Sequence, residues 1–266
     1  MKGEAISMKS NPNHKFTDEM LHFLYSSSIF QSFTEEEQSA FLQKYSGNRA
    51  FFEILQVAIR LNEVIVEIER IIPSIPEDVG QYYKQPRRSI TERVTIEDNV
   101  YHFPFGENLK ERGPFIVCIQ QGDRMEDVSL HCKGMLLPLF DMCYLQKRDL
   151  IILAFSDDIE ELRFEYGESS FPTFDMFIST YKMGDAKIIP VLEHVITLWE
   201  QAAVKNESEV MLITNNELSD YSEEKLMKLV HTIKERSISI TAVAMSEQQF
   251  EKQPMHFLDK IFFVYE

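Results

Sequence analysis

Nine glycines among 266 residues leave little material for the loops that cradle phosphates. None falls in a P-loop, a dinucleotide-binding fingerprint or a Gly-x-Ser-x-Gly nucleophile elbow, so the chain carries no motif for those chemistries. Cysteine is scarcer still. The three thiols, Cys118, Cys132 and Cys143, are odd in number and form no close pair. That pattern fits reduced thiols and not a disulfide framework. Positive charge is also short: 27 Lys and Arg stand against 43 Asp and Glu, a net charge of −16. A general nucleic-acid binder needs a positive surface to displace counterions, so the balance argues against that class and favours basic partners. No run approaches the roughly 20 uninterrupted apolar residues of a membrane-spanning helix. Residues 1–14 are polar and lack the basic-then-apolar order of a signal peptide. A cytoplasmic location is expected.

What is present is a globular balance, 44% apolar and 26% charged. Residues 1–93 read as a helical N-terminal region and linker. Residues 94–266 read as an α/β domain, with a hairpin in 94–113 and a core in 114–266. In the first part Thr17 caps a helix over 16–30, with Asp18 and Glu19 in the turn where the helix dipole favours anions. Thr34-Glu35-Glu36-Glu37 opens a second helix as a capping box. Phe51, Ile54, Ala58, Leu61, Ile65, Ile68 and Ile72 recur at steps of three and four, which predicts a third helix ending before Pro73. Its seam is either the core of a small bundle or a docking surface for another protein. Tyr82-Tyr83-Lys84-Gln85-Pro86-Arg87-Arg88 then gathers aromatics and cations. That stretch is either a solvated linker or a patch for phosphate, nucleic acid or an acidic partner.

The second part is organised around residues 115–119, a short apolar strand that stops at Gln120-Gln121-Gly122-Asp123-Arg124 and passes into a helix over 125–146. A strand covered on both faces shows no alternation, so this one reads as central and parallel. Leu150–Phe155 stops in the same way at Ser156-Asp157-Asp158, and 210–213 at Thr214-Asn215-Asn216. Ile159–Phe164 is expected as an antiparallel edge strand. Helices over 171–181, 188–204 and 223–236 and closing strands over 238–244 and 261–265 complete a doubly wound, mostly parallel α/β sheet of Rossmann-like type. Ligands of such sheets sit outside the carboxyl ends of the strands, which places a site at 120–124.

The strand, polar loop and helix of 115–146, the strand ending in Phe155-Ser156 and the short Ile159-Glu160-Glu161-Leu162 strand together resemble a von Willebrand factor A (VWA) domain. With a helical region ahead of it, the chain is similar to the bacterial CoxE-like or ViaA-like group. Such domains usually hold a divalent cation through Asp-x-Ser-x-Ser after the first strand, a Thr from a later loop and an Asp after the fourth strand. A hard cation such as Mg²⁺ wants those oxygens. Here the positions fall on Gln120, Gly122 and Arg124, on Asp185 within Met183-Gly184-Asp185-Ala186, and on Asn215. An arginine at a ligand position repels a cation, so the resemblance implies a degenerate site without metal or other cofactor. It also implies a protein partner, an AAA+ ATPase of the MoxR kind. Gln120, Gln121, Asp123, Arg124, Asn215 and Asn216 are then the expected partner-binding residues.

Two readings of the nearby acids stay open. Asp123, Asp157, Asp158 and Asp185 either hold Mg²⁺ or Ca²⁺ from shifted positions, with Gln120 and Asn215 as neutral ligands, or are solvated loop acids, one of them paired with Arg124. Cys132 and Cys143 lie three helical turns apart, about 16 Å, too far to share an ion. His131 beside Cys132 points in a different direction. These residues read as structural. The expected function is a non-catalytic adaptor for protein–protein interaction. The alternatives are a metal-dependent binding module with a rearranged site and a hydrolase whose motif is not recognisable.

Overall fold

The computed structural model describes residues 15–71, 95–97, 100–102, 113–201, 209–220, 223–236, 238–244, 258 and 260–263. The 82–88 stretch and the division at residue 93 lie outside them. The expected hairpin appears as β1 (Thr95–Glu97) paired antiparallel with β2 (Val100–His102). The main sheet comprises β3 (Phe115–Gln120), β4 (Leu150–Phe155), β5 (Ile159–Phe164), β6 (Glu209–Thr214), β7 (Ser239–Ala244) and β8 (Lys260–Phe263). Its order is β5-β4-β3-β6-β7-β8, parallel throughout except for β5 against β4. Every residue of β3 and β4 is buried, which is why neither strand alternates in sequence. The doubly wound α/β class and the helical N-terminal region are both as expected.

A 3₁₀ turn (Asp123–Val128) and α5 (Ser129–Leu145) follow β3, where the sequence predicts one continuous helix. α6 (Phe171–Ser179), α7 (Ile188–Gln201) and α8 (Glu223–Glu235) complete the α/β layers. Val117 and Ile119 pack against α5 and α6 through Leu136, Phe140, Phe174 and Phe177. On the opposite face Ile116 and Cys118 meet α7 and α8 through Val191, Val195, Leu226 and Val230. The chain thus leaves β3 toward one face and leaves the adjacent β6 toward the other. The loops diverge there and open a crevice at the carboxyl edge, the switch point where such sheets place their sites.

Four helices cover α5 and α6: α1 (Asp18–Ser26), α2 (Ser28–Gln31), α3 (Glu35–Tyr45) and α4 (Arg49–Ile71). They share one core with the sheet. Phe30, Phe41, Phe51 and Ile54 belong to the same cluster as Leu136 and Phe174, and Phe33 meets Phe171 edge-on at 5.3 Å. Phe51, Ile54 and Ala58 of the seam are buried within the chain. The tightest approach is at Gly134 of α5, where an added Cβ would lie 2.6 Å from Val57 Cβ and 2.7 Å from the Ile54 carbonyl oxygen.

Local chemistry sets the helix ends. Thr34 and Glu37 form the expected capping box, each side chain accepting from the other's backbone N–H at 3.2 and 2.8 Å. The single helix predicted over 16–30 is instead broken at Ser27. Ser26 and Ser27 turn their hydroxyls back onto the Phe23 and Leu24 carbonyls, which competes with helix continuation. Asp141 of α5 then caps the restart, accepting from the Ser28 N–H at 2.6 Å and from its hydroxyl. On the other side Asp175 of α6 accepts from Lys44 at 2.6 Å and from the Tyr45 hydroxyl at 2.9 Å.

Candidate functional site at the carboxyl edge of the sheet

Gln120, the last residue of β3, is 2% exposed and organises the crevice. Its side-chain oxygen accepts from the Thr214 hydroxyl and from the Asn215 N–H at 3.1 Å; its amide donates to the Glu217 carbonyl at 3.2 Å. The Thr214 oxygen accepts in turn from the Asn216 N–H at 2.8 Å. Asn215 donates to the Arg124 carbonyl at 2.9 Å and accepts from the Glu217 N–H at 3.0 Å. Asn216 takes φ +65°, a conformation that asparagine tolerates better than most residues. One carboxamide therefore ties the ends of β3 and β6 together. Leaving such buried partners unsatisfied costs about 1–3 kcal/mol each.

The second wall is the loop 181–187, pinned at several points. Gly122 donates to the Lys182 carbonyl at 2.8 Å, and Gln121 accepts from the Lys182 N–H at 2.8 Å. Asp123 accepts from the Gly184 N–H at 3.0 Å, and the Tyr181 hydroxyl donates to the Gly122 carbonyl. Gly122 and Gly184 both adopt positive φ, +108° and +106°; a Cβ on the first would collide with the carbonyl of the second. Glycine is required at both. Burial pushes the Tyr181 phenol above its usual range. Behind the loop, Lys133 of α5 is 2% exposed and donates to the Ile178 and Thr180 carbonyls at 3.0 and 2.5 Å. Burial lowers its ammonium to about 8, with Glu160 acting in the opposite sense.

The predicted site residues are brought to one edge but differ in accessibility. Gln120, Gln121, Asn215 and Asn216 are buried, while Asp123 and Arg124 are exposed. The rim beside them carries Asp185 and Met183, the latter 56% exposed. Together Gln120, Gln121, Arg124, Asp185, Glu217 and Ser219 line a shallow cleft of 340 Å³.

The four acids go separate ways. Asp123 serves the Gly184 N–H. Asp158 pairs with Lys182 at 2.7 Å, and that hydrogen bond holds its carboxyl below the usual range. Asp157 lies 3.6 Å from Lys187, and Asp185 is exposed on the rim. Arg124 pairs with none of them. Its partner is Glu217, at 3.4 Å. Sequence reasoning missed Thr214 and Glu217, although both flank the Asn215-Asn216 pair that marked the loop, and it missed Tyr181, Lys182 and Lys133 of the second wall. Among the described residues no three His, Cys, Asp or Glu side chains gather as metal ligands. The Cys132 and Cys143 thiols are buried and pushed up to about 12 by that burial. A thiol held so firmly protonated is a poor nucleophile.

With this geometry in place, comparison with solved structures returns VWA folds. The chain is similar to the SpRpn10 VWA domain, at 11% identity over 57% of this chain and 88% of that one, with a TM-score of 0.40. It is similar to a von Willebrand factor type A protein from Catenulispora acidiphila, at 9% identity and a TM-score of 0.46, over 59% of this chain and 39% of that one. A third is the manganese-loaded TRAP protein of Plasmodium vivax, at 14% identity and a TM-score of 0.45, over 59% of this chain and 68% of that one. No family model matches the chain, and no curated protein matches it. Among the described residues no helix is long and apolar enough to cross a membrane.

Proposed function

We propose that this chain is a non-catalytic protein-interaction module that engages its partner at the carboxyl edge of the sheet without a divalent cation. The observation that carries the reading is the network around Gln120. At the position where a VWA-like site would present its first carboxylate stands a neutral carboxamide, already committed to Thr214, Asn215 and Glu217. A cation there would have to strip two hydrogen bonds from the Gln120 oxygen and sit beside the Arg124 guanidinium. The oxygens that hard cations prefer are scarce: Asp158, Asp157 and Asp123 are spread among Lys182, Lys187 and the Gly184 N–H, which leaves Asp185 at the cleft. The residues present therefore do not fit Mg²⁺ or Ca²⁺ in the usual arrangement.

Affinity then comes from the rim. The Arg124 side chain is 74% exposed, and guanidinium grips a carboxylate through two parallel hydrogen bonds without a metal. Met183, exposed on the loop whose Gly184 N–H binds Asp123, offers an adaptable apolar contact. Gln120 and Asn215 act from below by holding the Arg124 and Glu217 backbones in place. A cytoplasmic adaptor of this kind suits a larger protein partner, and the MoxR-type AAA+ ATPase implied by the sequence resemblance is the first candidate. The full chain, tethered and exposed to that ATPase or to a native extract, should retain a partner that Arg124→Glu loses, a change that leaves the exposed side chain's fold context intact. Retention unaffected by Arg124→Glu would move the contact away from this edge.

A further inference from the structure

We propose that the outer edge of β5 pairs with the same strand of a second copy of this chain, in one register set by charge. Among the described residues β5 is hydrogen-bonded to a strand on one side only, that of β4. Edge strands are usually blunted by proline, by a bulge or by being very short. β5 has none of these: six residues, Ile-Glu-Glu-Leu-Arg-Phe, run without a bulge from Ile159 opposite Phe155 to Phe164 opposite Leu150. Its charges are the remaining guard, and they are self-complementary.

Glu161 and Arg163 share one face, where Glu161 accepts from Arg163 and meets His194 of α7 at 2.6 Å. Leu162 and Phe164 are buried on the other face. Two copies that extend one sheet across a twofold axis must place residues of the same face opposite each other, so one residue faces itself. Two choices keep most of the strand in register. Centring on Glu161 sets that carboxylate against its own copy, which repels. Centring on Leu162 sets leucine against leucine and Glu160 against Phe164. It also sets Glu161 against the second copy's Arg163, twice over. Moving the axis by one residue, a slip of two residues between the strands, thus replaces two attractive pairs by a repulsive one, and charge fixes the register.

The area covered by one strand pair is below that of a standard interface, so the association is weak and reversible, on the order of micromolar or weaker. Sedimentation velocity of the full chain over a wide concentration range should show a monomer–dimer equilibrium. E161R and R163E should each weaken it by at least about tenfold, because two attractive pairs become two repulsive ones. An equimolar mixture of the two variants should dimerise again, since one strand then carries two arginines and the other two glutamates. The swap E161R/R163E should restore the self-pairing. The Arg163 side chain is 50% exposed, so R163E preserves the fold and decides the matter alone if E161R, which also parts Glu161 from His194, does not fold. A wild-type chain that stays monomeric throughout, or a dimer indifferent to R163E, overturns the proposal.

Discussion

Replacing Gly134 by alanine sets two effects of opposite sign against each other. Gly134 lies inside α5, and in an exposed helix interior Gly→Ala stabilises by about 1 kcal/mol through backbone entropy. Here the added methyl would stand 2.6 Å from Val57 Cβ and 2.7 Å from the Ile54 carbonyl oxygen. Ordinary contact needs about 1 Å more, and one of the two obstacles is backbone, so α4 itself must retreat. Overpacking of this kind costs roughly 1–3 kcal/mol. The close contact outweighs the propensity gain, because retreat of α4 also loosens Phe51 and Ile54 from the core they share with α5. With backbone among the obstacles the upper part of that range applies, about 2–3 kcal/mol; less the gain of about 1 kcal/mol, the expected net loss is about 1–2 kcal/mol, or a fall in Tm of about 2–8 °C. Thermal unfolding of the full chain by circular dichroism measures it. A Tm that stays level or rises would mean that α4 is not seated on α5, and the shared core described above would be wrong.

Two further variants probe the edge of the sheet. Gln120→Leu keeps the volume but strands the Thr214 hydroxyl, the Asn215 N–H and the Glu217 carbonyl, and should cost roughly 2–4 kcal/mol in urea unfolding; no loss would show that the network does not hold the loops. Lys133 is held at about 8 in the fold against 10.5 when unfolded. Between those values the unfolded chain binds the extra proton, so stability rises with pH across that window. Lys133→Met removes this contribution, and the stability gap between wild type and variant should differ at the two ends of the window; an unchanged gap contradicts the burial of the charge.

Strands β3 and β4 were legible because burial on both faces leaves continuous apolar runs, and the location of the site followed from where those runs stop. The Thr34 capping box was legible because every partner lies within four residues. What the sequence hid depends on distant partners. The break at Ser27 is fixed by Asp141, more than a hundred positions away. Lys133 reads as a surface residue until the Ile178 and Thr180 carbonyls are placed beside it. The sequence offers the four loop aspartates as partners for Arg124, yet the chain turns after Asn216 in a way that brings Glu217 there instead. Composition likewise gave no sign that the N-terminal helices share a core with the sheet, because an apolar seam looks alike whether it meets its own bundle or another layer.

The most direct test of the central claim is retention of the partner by the wild-type chain in excess EDTA, compared with millimolar Mg²⁺, with Arg124→Glu run beside it. Equal retention in both buffers, lost in Arg124→Glu, is the expected result. Retention that disappears in EDTA and returns with Mg²⁺ would contradict a metal-independent contact edge.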